Sequence, residues 1–249
     1  MKVQILLLIP MAFLLPSGTW AGEIIGGQEA QPHSRPYMAY LSIQRTGKTY
    51  ICGGFLVAKN FVLTAAHCKG EKITVTLGAH NIREREQSQH KISVSRQILH
   101  PRYNKKTYKN DIMLLQLHHN AHLTKEIGLI DLTSAHGRVS PGTMCSVAGW
   151  GKTILTDSSD TLQEVNLLVI SDKTCDNQYP HYYSSSMLCA GDPDDQKSVY
   201  HGDSGGPLVC CGVAVGIVST GFKNSIAPPA VYTRISHFVP WITDTMRGI

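Results

Sequence analysis

Aromatic residues make up only 7% of this 249-residue chain and charged residues only 16%. So low a charge, beside ordinary hydrophobicity, excludes the disordered, collagenous and coiled-coil classes. No zinc-finger spacing, basic zipper or aromatic stacking platform is present, so nucleic acid is not expected as a partner. No CxxC pair occurs, and neither metal nor cofactor is expected. No Asn-x-Ser/Thr acceptor occurs either, so no N-linked glycan is expected. Beyond the N-terminal stretch no apolar run approaches the roughly 20 residues of a membrane span, so no anchor is expected.

What the chain does hold is 42% hydrophobic residues with Gly 22 and Pro 12, an ordinary globular composition able to bury a core. Net charge is +5, and 12 histidines add more in an acidic compartment, which points to a polyanionic partner other than nucleic acid. The N-terminus opens with Lys2, an apolar stretch from Val3 to Leu15, and small residues leading to Ala21. Residues 1–21 therefore read as a secretory signal peptide. Export makes disulfides the expected state of the seven cysteines, three bonds and one odd thiol.

Short apolar or alternating runs broken by Gly, Pro, Asn and Asp follow: Tyr37 to Ile43, Ile73 to Leu77, Ile112 to Leu117, Gln163 to Val169 and Val213 to Ser219. These predict strands of an all-β protein. In Ile73-Thr74-Val75-Thr76-Leu77 the period is two, which predicts threonines facing solvent. One helix is predicted near the C-terminus, capped by Ser236, with Phe238, Trp241, Ile242, Thr245 and Met246 as a docking stripe. Weak periodicity between residues 123 and 141 predicts a surface connection between two β halves.

Three segments carry chemistry together: Thr64-Ala65-Ala66-His67-Cys68, Asn110-Asp111-Ile112-Met113-Leu114-Leu115 and Gly202-Asp203-Ser204-Gly205-Gly206-Pro207. A serine hydroxyl is a poor nucleophile at neutral pH. It needs a base to take its proton and a carboxylate to fix that base's tautomer, and His67, Asp111 and Ser204 supply the three groups. Glycines beside Ser204 leave room for backbone N–H groups to converge on an oxyanion, with Gly202 and Ser204 as the expected donors.

The chain resembles the trypsin/chymotrypsin-type serine proteases over its whole length, and most of all the granule-stored branch of mast-cell chymases and granzymes. The resemblance rests on the three segments above together with Ile24-Ile25-Gly26-Gly27, Cys52-Gly53-Gly54-Phe55-Leu56, Ala148-Gly149-Trp150-Gly151 and Pro228-Pro229-Ala230-Val231-Tyr232. It implies two six-stranded antiparallel β-barrels with the site in the cleft between them. It also implies a dipeptide, residues 22–23, whose removal frees the ammonium of Ile24 to pair with Asp203, and a protease domain over residues 24–249. The bonds it implies are Cys52–Cys68, Cys145–Cys210 and Cys175–Cys189. Cys211 is then left as an inert thiol or as a site of intermolecular pairing.

By the same resemblance Ser198 lies at the base of the primary specificity pocket, with Gly221 at its entrance and Ala230, Ser219 and Thr220 in its walls. A neutral base suits Phe, Tyr, Leu or Trp, because an Arg or Lys side chain would be buried there without a partner. Thr220 departs from the family's usual aromatic residue, and the following loop to Ala227 is one residue longer than in granzyme B-like chains. His201 and Tyr108 are expected to border the cleft. The expected function is a monomeric, secreted, granule-stored endopeptidase acting on protein or peptide substrates. A granzyme-like protease of different specificity, or a catalytically silent homologue acting as a binding or antimicrobial protein, are the alternatives. Arg83, Arg85, Lys91, Arg96, Arg102, Lys105, Lys106, Lys109, His118, His119 and His122 cluster in one half of the chain. That cluster, with the granule resemblance, suggests a sulfated proteoglycan such as heparin as partner.

Overall fold

The computed structural model describes residues 27–151, 158–180, 183–191, 199, 202–220 (the backbone alone at Thr220) and 229–248. Seven strands fill the first half: β1 (Gln28–Glu29), β2 (Met38–Arg45), β3 (Lys48–Ala58), β4 (Phe61–Thr64), β5 (Lys72–Leu77), β6 (His90–Leu99) and β7 (Met113–Leu117). The second half holds β8 (Met144–Gly149), β9 (Gln163–Ile170), α1 (Asp172–Gln178), β10 (Met187–Ala190), β11 (Pro207–Cys210), β12 (Val213–Thr220), β13 (Ala230–Arg234) and α2 (Ile235–Arg247).

The strands form two closed antiparallel six-stranded barrels, as expected. The first runs β2-β3-β4-β7-β6-β5 and closes through β5 on β2. The second runs β9-β10-β13-β12-β11-β8 and closes through β8 on β9, with the short β1 added outside β9. Tight turns set the register. Thr46-Gly47 joins β2 to β3 with φ of 47° and 75°, and Cys211-Gly212 joins β11 to β12 with φ of 50° and 81°. Two left-handed residues give a turn whose twist matches the flanking strands. Cys211 is therefore a turn residue, not a strand neighbour of Cys210, and it is exposed. Bonds join Cys52 to Cys68, Cys145 to Cys210 and Cys175 to Cys189.

Leu41, Ile43, Leu63, Val75 and Leu114 fill the first barrel, and Val147, Leu167, Leu208 and Tyr232 the second. The apolar stripe of α2 docks as predicted, and its Ile235, Phe238 and Ile242 join the first barrel's core. Ser236 does not cap this helix: it is buried inside the first turn, and Arg234 stands at the cap position without a side-chain bond. The reason is that Arg234 still pairs with Gly216, so the helix starts where the ladder ends. A second correction concerns Thr76, which is buried. The segment carrying Ile82 and Gln89 lies beside Tyr40 and covers the outer face where Thr76 stands. Helix α1 was not predicted; it has only two turns, although Ser171 caps it by accepting from the Thr174 N–H at 3.0 Å.

Residues 118–143 hold no named strand, and they strap the barrels together. The Ile130 N–H donates to the Leu56 carbonyl in β3, and the Ala214 N–H in β12 donates to the Asp131 carbonyl. Trp150 fills the seam, edge-on to Tyr40 at 5.7 Å, with its Nε1–H donating to the His80 carbonyl at 2.9 Å.

His100 sits in a wedge between barrel and helix, its ring 5.1 Å from Phe238 and 5.2 Å from Trp241. Burial, then the charges of Arg102 and His237, hold its pKa below the ordinary imidazole value. A lowered folded-state pKa favours the neutral form, so this stability is present at neutral pH and is lost as pH falls through the lowered value. Moving from about pH 7.5 to 5 should lower Tm by more in the parent than in His100→Gln, measured by calorimetry.

Candidate active site

The site is built at the seam, each residue carried by the end of a strand. After β4 the chain makes a single tight turn, Ala66–Cys68, that lifts His67 out of the barrel, and the Cys52–Cys68 bond ties this turn to β3. Asp111 comes two residues before β7, turned inward by Asn110, whose φ of 58° is held by its side-chain bond to the Arg102 carbonyl. Asp111 is fully buried and takes three donors: the His67 backbone N–H at 2.9 Å, the His67 Nδ1 at 2.7 Å and the Ser219 hydroxyl at 2.6 Å. The Thr233 hydroxyl donates to the carbonyl of the same aspartate at 2.8 Å.

Ser204 rides on a loop of the second barrel held against the first. Its carbonyl accepts from the Gly53 N–H at 2.8 Å, and the next N–H, of Gly205, donates to Val218. Gly205 has φ of 85°, and a Cβ there would stand 2.1 Å from the Thr64 hydroxyl, so glycine is required. Asp203 is fully buried and accepts from the Gly151 N–H at 2.9 Å; burial, and then the charge of Asp203, push the Tyr232 phenol pKa upward. A Cβ on Gly149 or Gly151 would reach within 2.2 and 2.5 Å of that carboxylate. Among the described residues neither the Gly202 nor the Ser204 N–H has an internal acceptor.

His67, Gly202 and Ser204 line one cleft of about 320 Å³. Tyr108, expected at the cleft, does not line this part of it but stands beside His67, its ring edge-on at 5.7 Å. His67, Cys52 and Cys68 bring ligand-type atoms within 4.8 Å of one another, but the disulfide removes both thiolates as metal ligands. Of the expected pocket, Ala230 is buried in β13 and Ser219 is buried in β12 with its hydroxyl on Asp111. Ser198, Gly221, the Thr220 side chain, Ile24 and His201 lie outside the described residues. Sequence reading missed the donors Ser219 and Thr233 to Asp111, since 108 and 122 residues separate each pair and no local pattern marks them.

Two closed antiparallel barrels with His, Asp and Ser at their seam define a chymotrypsin-like serine protease. The family model for trypsin matches residues 24–242, and the chain belongs to that family of serine endopeptidases. It is 55% identical over 245 residues to duodenase-1 of Bos taurus, covering 98% of this chain and 97% of that protein. It is 52% identical to human cathepsin G over 242 residues, 97% of this chain and 94% of the other. Granzymes and chymases match over nearly the same length. The solved structure of a protein called GrC superimposes with a TM-score of 0.86 at 47% identity, covering 90% of this chain and all of that one.

The Ser219→Ala substitution should cost about 1 to 3 kcal/mol, because it strips a donor from a charge that has no access to water. Urea unfolding should show a lower midpoint at unchanged slope.

Proposed function

We propose that this chain is a secreted, granule-stored endopeptidase that cuts after large apolar or aromatic residues through an acyl-enzyme. The observation that carries the proposal is the 2.7 Å pairing of the His67 ring with buried Asp111, in the cleft that Ser204 also lines. His67 takes the hydroxyl proton as Ser204 Oγ bonds to the scissile carbonyl carbon, and the carbonyl electrons move onto oxygen. The Gly202 and Ser204 N–H groups receive that oxyanion. Collapse expels the leaving amine, which takes the proton from His67, and water then releases the acyl group by the same steps in reverse roles. Asp111 keeps the imidazole in the tautomer whose free nitrogen faces Ser204 and offsets the charge of the imidazolium.

Activation follows from charge. Removal of residues 1–21 and then of Gly22-Glu23 would free the ammonium of Ile24 to enter the seam toward Asp203. The ammonium would offset the charge of the buried carboxylate, and the pair would order the loop carrying Gly202. Similarity to chymases and cathepsin G, and small apolar Ala230 in the wall, support the preference for apolar residues. Burial of such a side chain contributes roughly 1.5 to 3 kcal/mol.

The test uses matched peptides differing only at the residue before the cut. Expected are Phe, Tyr and Leu well ahead of Arg, Lys and Asp, at least a hundredfold loss when Gly22-Glu23 is retained, and no stoichiometric titration of Ser204→Ala by an acylating reagent. A best substrate carrying Arg or Asp would replace this specificity by another; a parent that no serine titrant acylates would make the chain a silent homologue.

A sulfated proteoglycan is the proposed storage partner. Arg102, Lys105, Lys106, Arg85, Lys91 and Arg96 are exposed, as are His118, His119 and His122. Such a basic face would hold a sulfated polyanion by charge. Immobilised heparin should retain the protein until the salt is raised; no retention at all would reject the polyanion partner.

A further inference from the structure

A cavity of about 640 Å³ opens on the wall of the second barrel, and among the described residues none lines both it and the cleft that holds His67 and Ser204. Its size is that of a small-ligand site. Four segments meet around it: the stretch before β8, the end of β9 running into α1, β10 with the residues before it, and the junction of β13 with α2. The floor is apolar. Val169 and Leu188, buried in the core of the second barrel, line it together with Val139, which packs against that core.

One wall is the first turn of α2, a helix of 13 residues whose N-terminus carries partial positive charge. No side chain caps it, and among the described residues the N–H groups of Ile235, Ser236 and His237 find no acceptor outside the helix. The Ser236 side chain lines the cavity from the same turn, and the residue is only 9% exposed. Among the described residues its hydroxyl has no hydrogen-bond partner, a costly state for a buried polar group and one that an acceptor in the cavity would end.

The charges around the cavity favour an anion. Arg234 is already engaged: its Nη2 donates to the Asp172 carboxylate at 2.6 Å and its Nε to the Met187 carbonyl at 2.9 Å. That pair offsets the one described carboxylate lining the cavity. Arg138 lines it too, is exposed, and forms no ion pair among the described residues, so its charge is left for a ligand.

We propose that this cavity is a second binding site, made for a small organic anion: a carboxylate, sulfonate or phosphate headgroup on an apolar body. The headgroup takes the Ser236 hydroxyl, the N–H groups that start α2 and the charge of Arg138. The body covers Val139, Val169 and Leu188. A polymer charged along its length leaves such a floor uncovered, which separates this ligand from the sulfated chain proposed for storage.

The test is a ligand-observed NMR titration of the purified protein with naphthalene-1-sulfonate. Inorganic sulfate supplies the headgroup alone, and naphthalene-1-methanol an uncharged body. The sulfonate should saturate one site with Kd of about 1 mM or tighter, and each control should bind at least about tenfold more weakly. Arg138→Gln, at an exposed residue without an ion pair, should weaken the sulfonate about fivefold at low ionic strength and less in high salt. Ser236→Ala should weaken it by a similar factor, whereas Arg45→Gln, in the cleft around Ser204, should change nothing. Sulfate as tight as naphthalene-1-sulfonate would mean an adventitious ion only, and naphthalene-1-methanol as tight would mean that no headgroup is read; either overturns the proposal. Binding that survives both Arg138→Gln and Ser236→Ala, or that Arg45→Gln abolishes, puts the probe elsewhere and overturns it as well. So does a parent that shows no saturation up to the solubility limit. Should Ser236→Ala fail to fold, Arg138→Gln and the comparison of probes decide the matter without it.

Discussion

A carboxylate sealed from water at the meeting of two barrels is the constraint that the rest of the molecule serves. Stranding Asp111 there without donors would cost several kcal/mol, so the fold has to deliver them, and it draws them from both barrels. His67 comes from the first, while Ser219 and Thr233 come from adjacent strands of the second. The site and the barrel interface are therefore one set of bonds. Neither barrel can slide against the other without unpairing the charge.

The same economy governs the loop that carries Ser204. Its glycines lie where the two halves come closest: Gly205 against Thr64 and Gly53, and Gly149 and Gly151 against the Asp203 carboxylate. Backbone takes the room that side chains would occupy. The loop can then be held by N–H and carbonyl groups from both halves while, among the described residues, the Gly202 and Ser204 N–H groups have no internal acceptor.

Much of this was legible in the sequence, because the three segments around His67, Asp111 and Ser204 are local strings whose residue types already state their chemistry. The strand pattern was legible for the same reason: alternation and turn residues are short-range signals. What escaped was non-local. Nothing near Ser219 announces a partner 108 residues away. Thr76 obeys the period of its strand and is buried all the same, because the loop that follows, with Ile82 and Gln89, folds back beside Tyr40 over the outer face where it stands. Ser236 has the cap residue's chemistry but sits one place inside a helix whose start is dictated by the ladder on Arg234. In each case a contact made across the fold outweighed a rule read along the chain.

Closure of both barrels has a further consequence for a protein of this kind. Proteases engage their substrates as extended backbone, and an unpaired strand edge offers that shape. Here each strand of the two rings is flanked on both sides, and the short β1 is only two residues long. Packed among copies of itself at high concentration, such a molecule presents its neighbours with barrel walls whose hydrogen bonds are already taken, so the architecture that assembles the blade also shields its own strands from being cut.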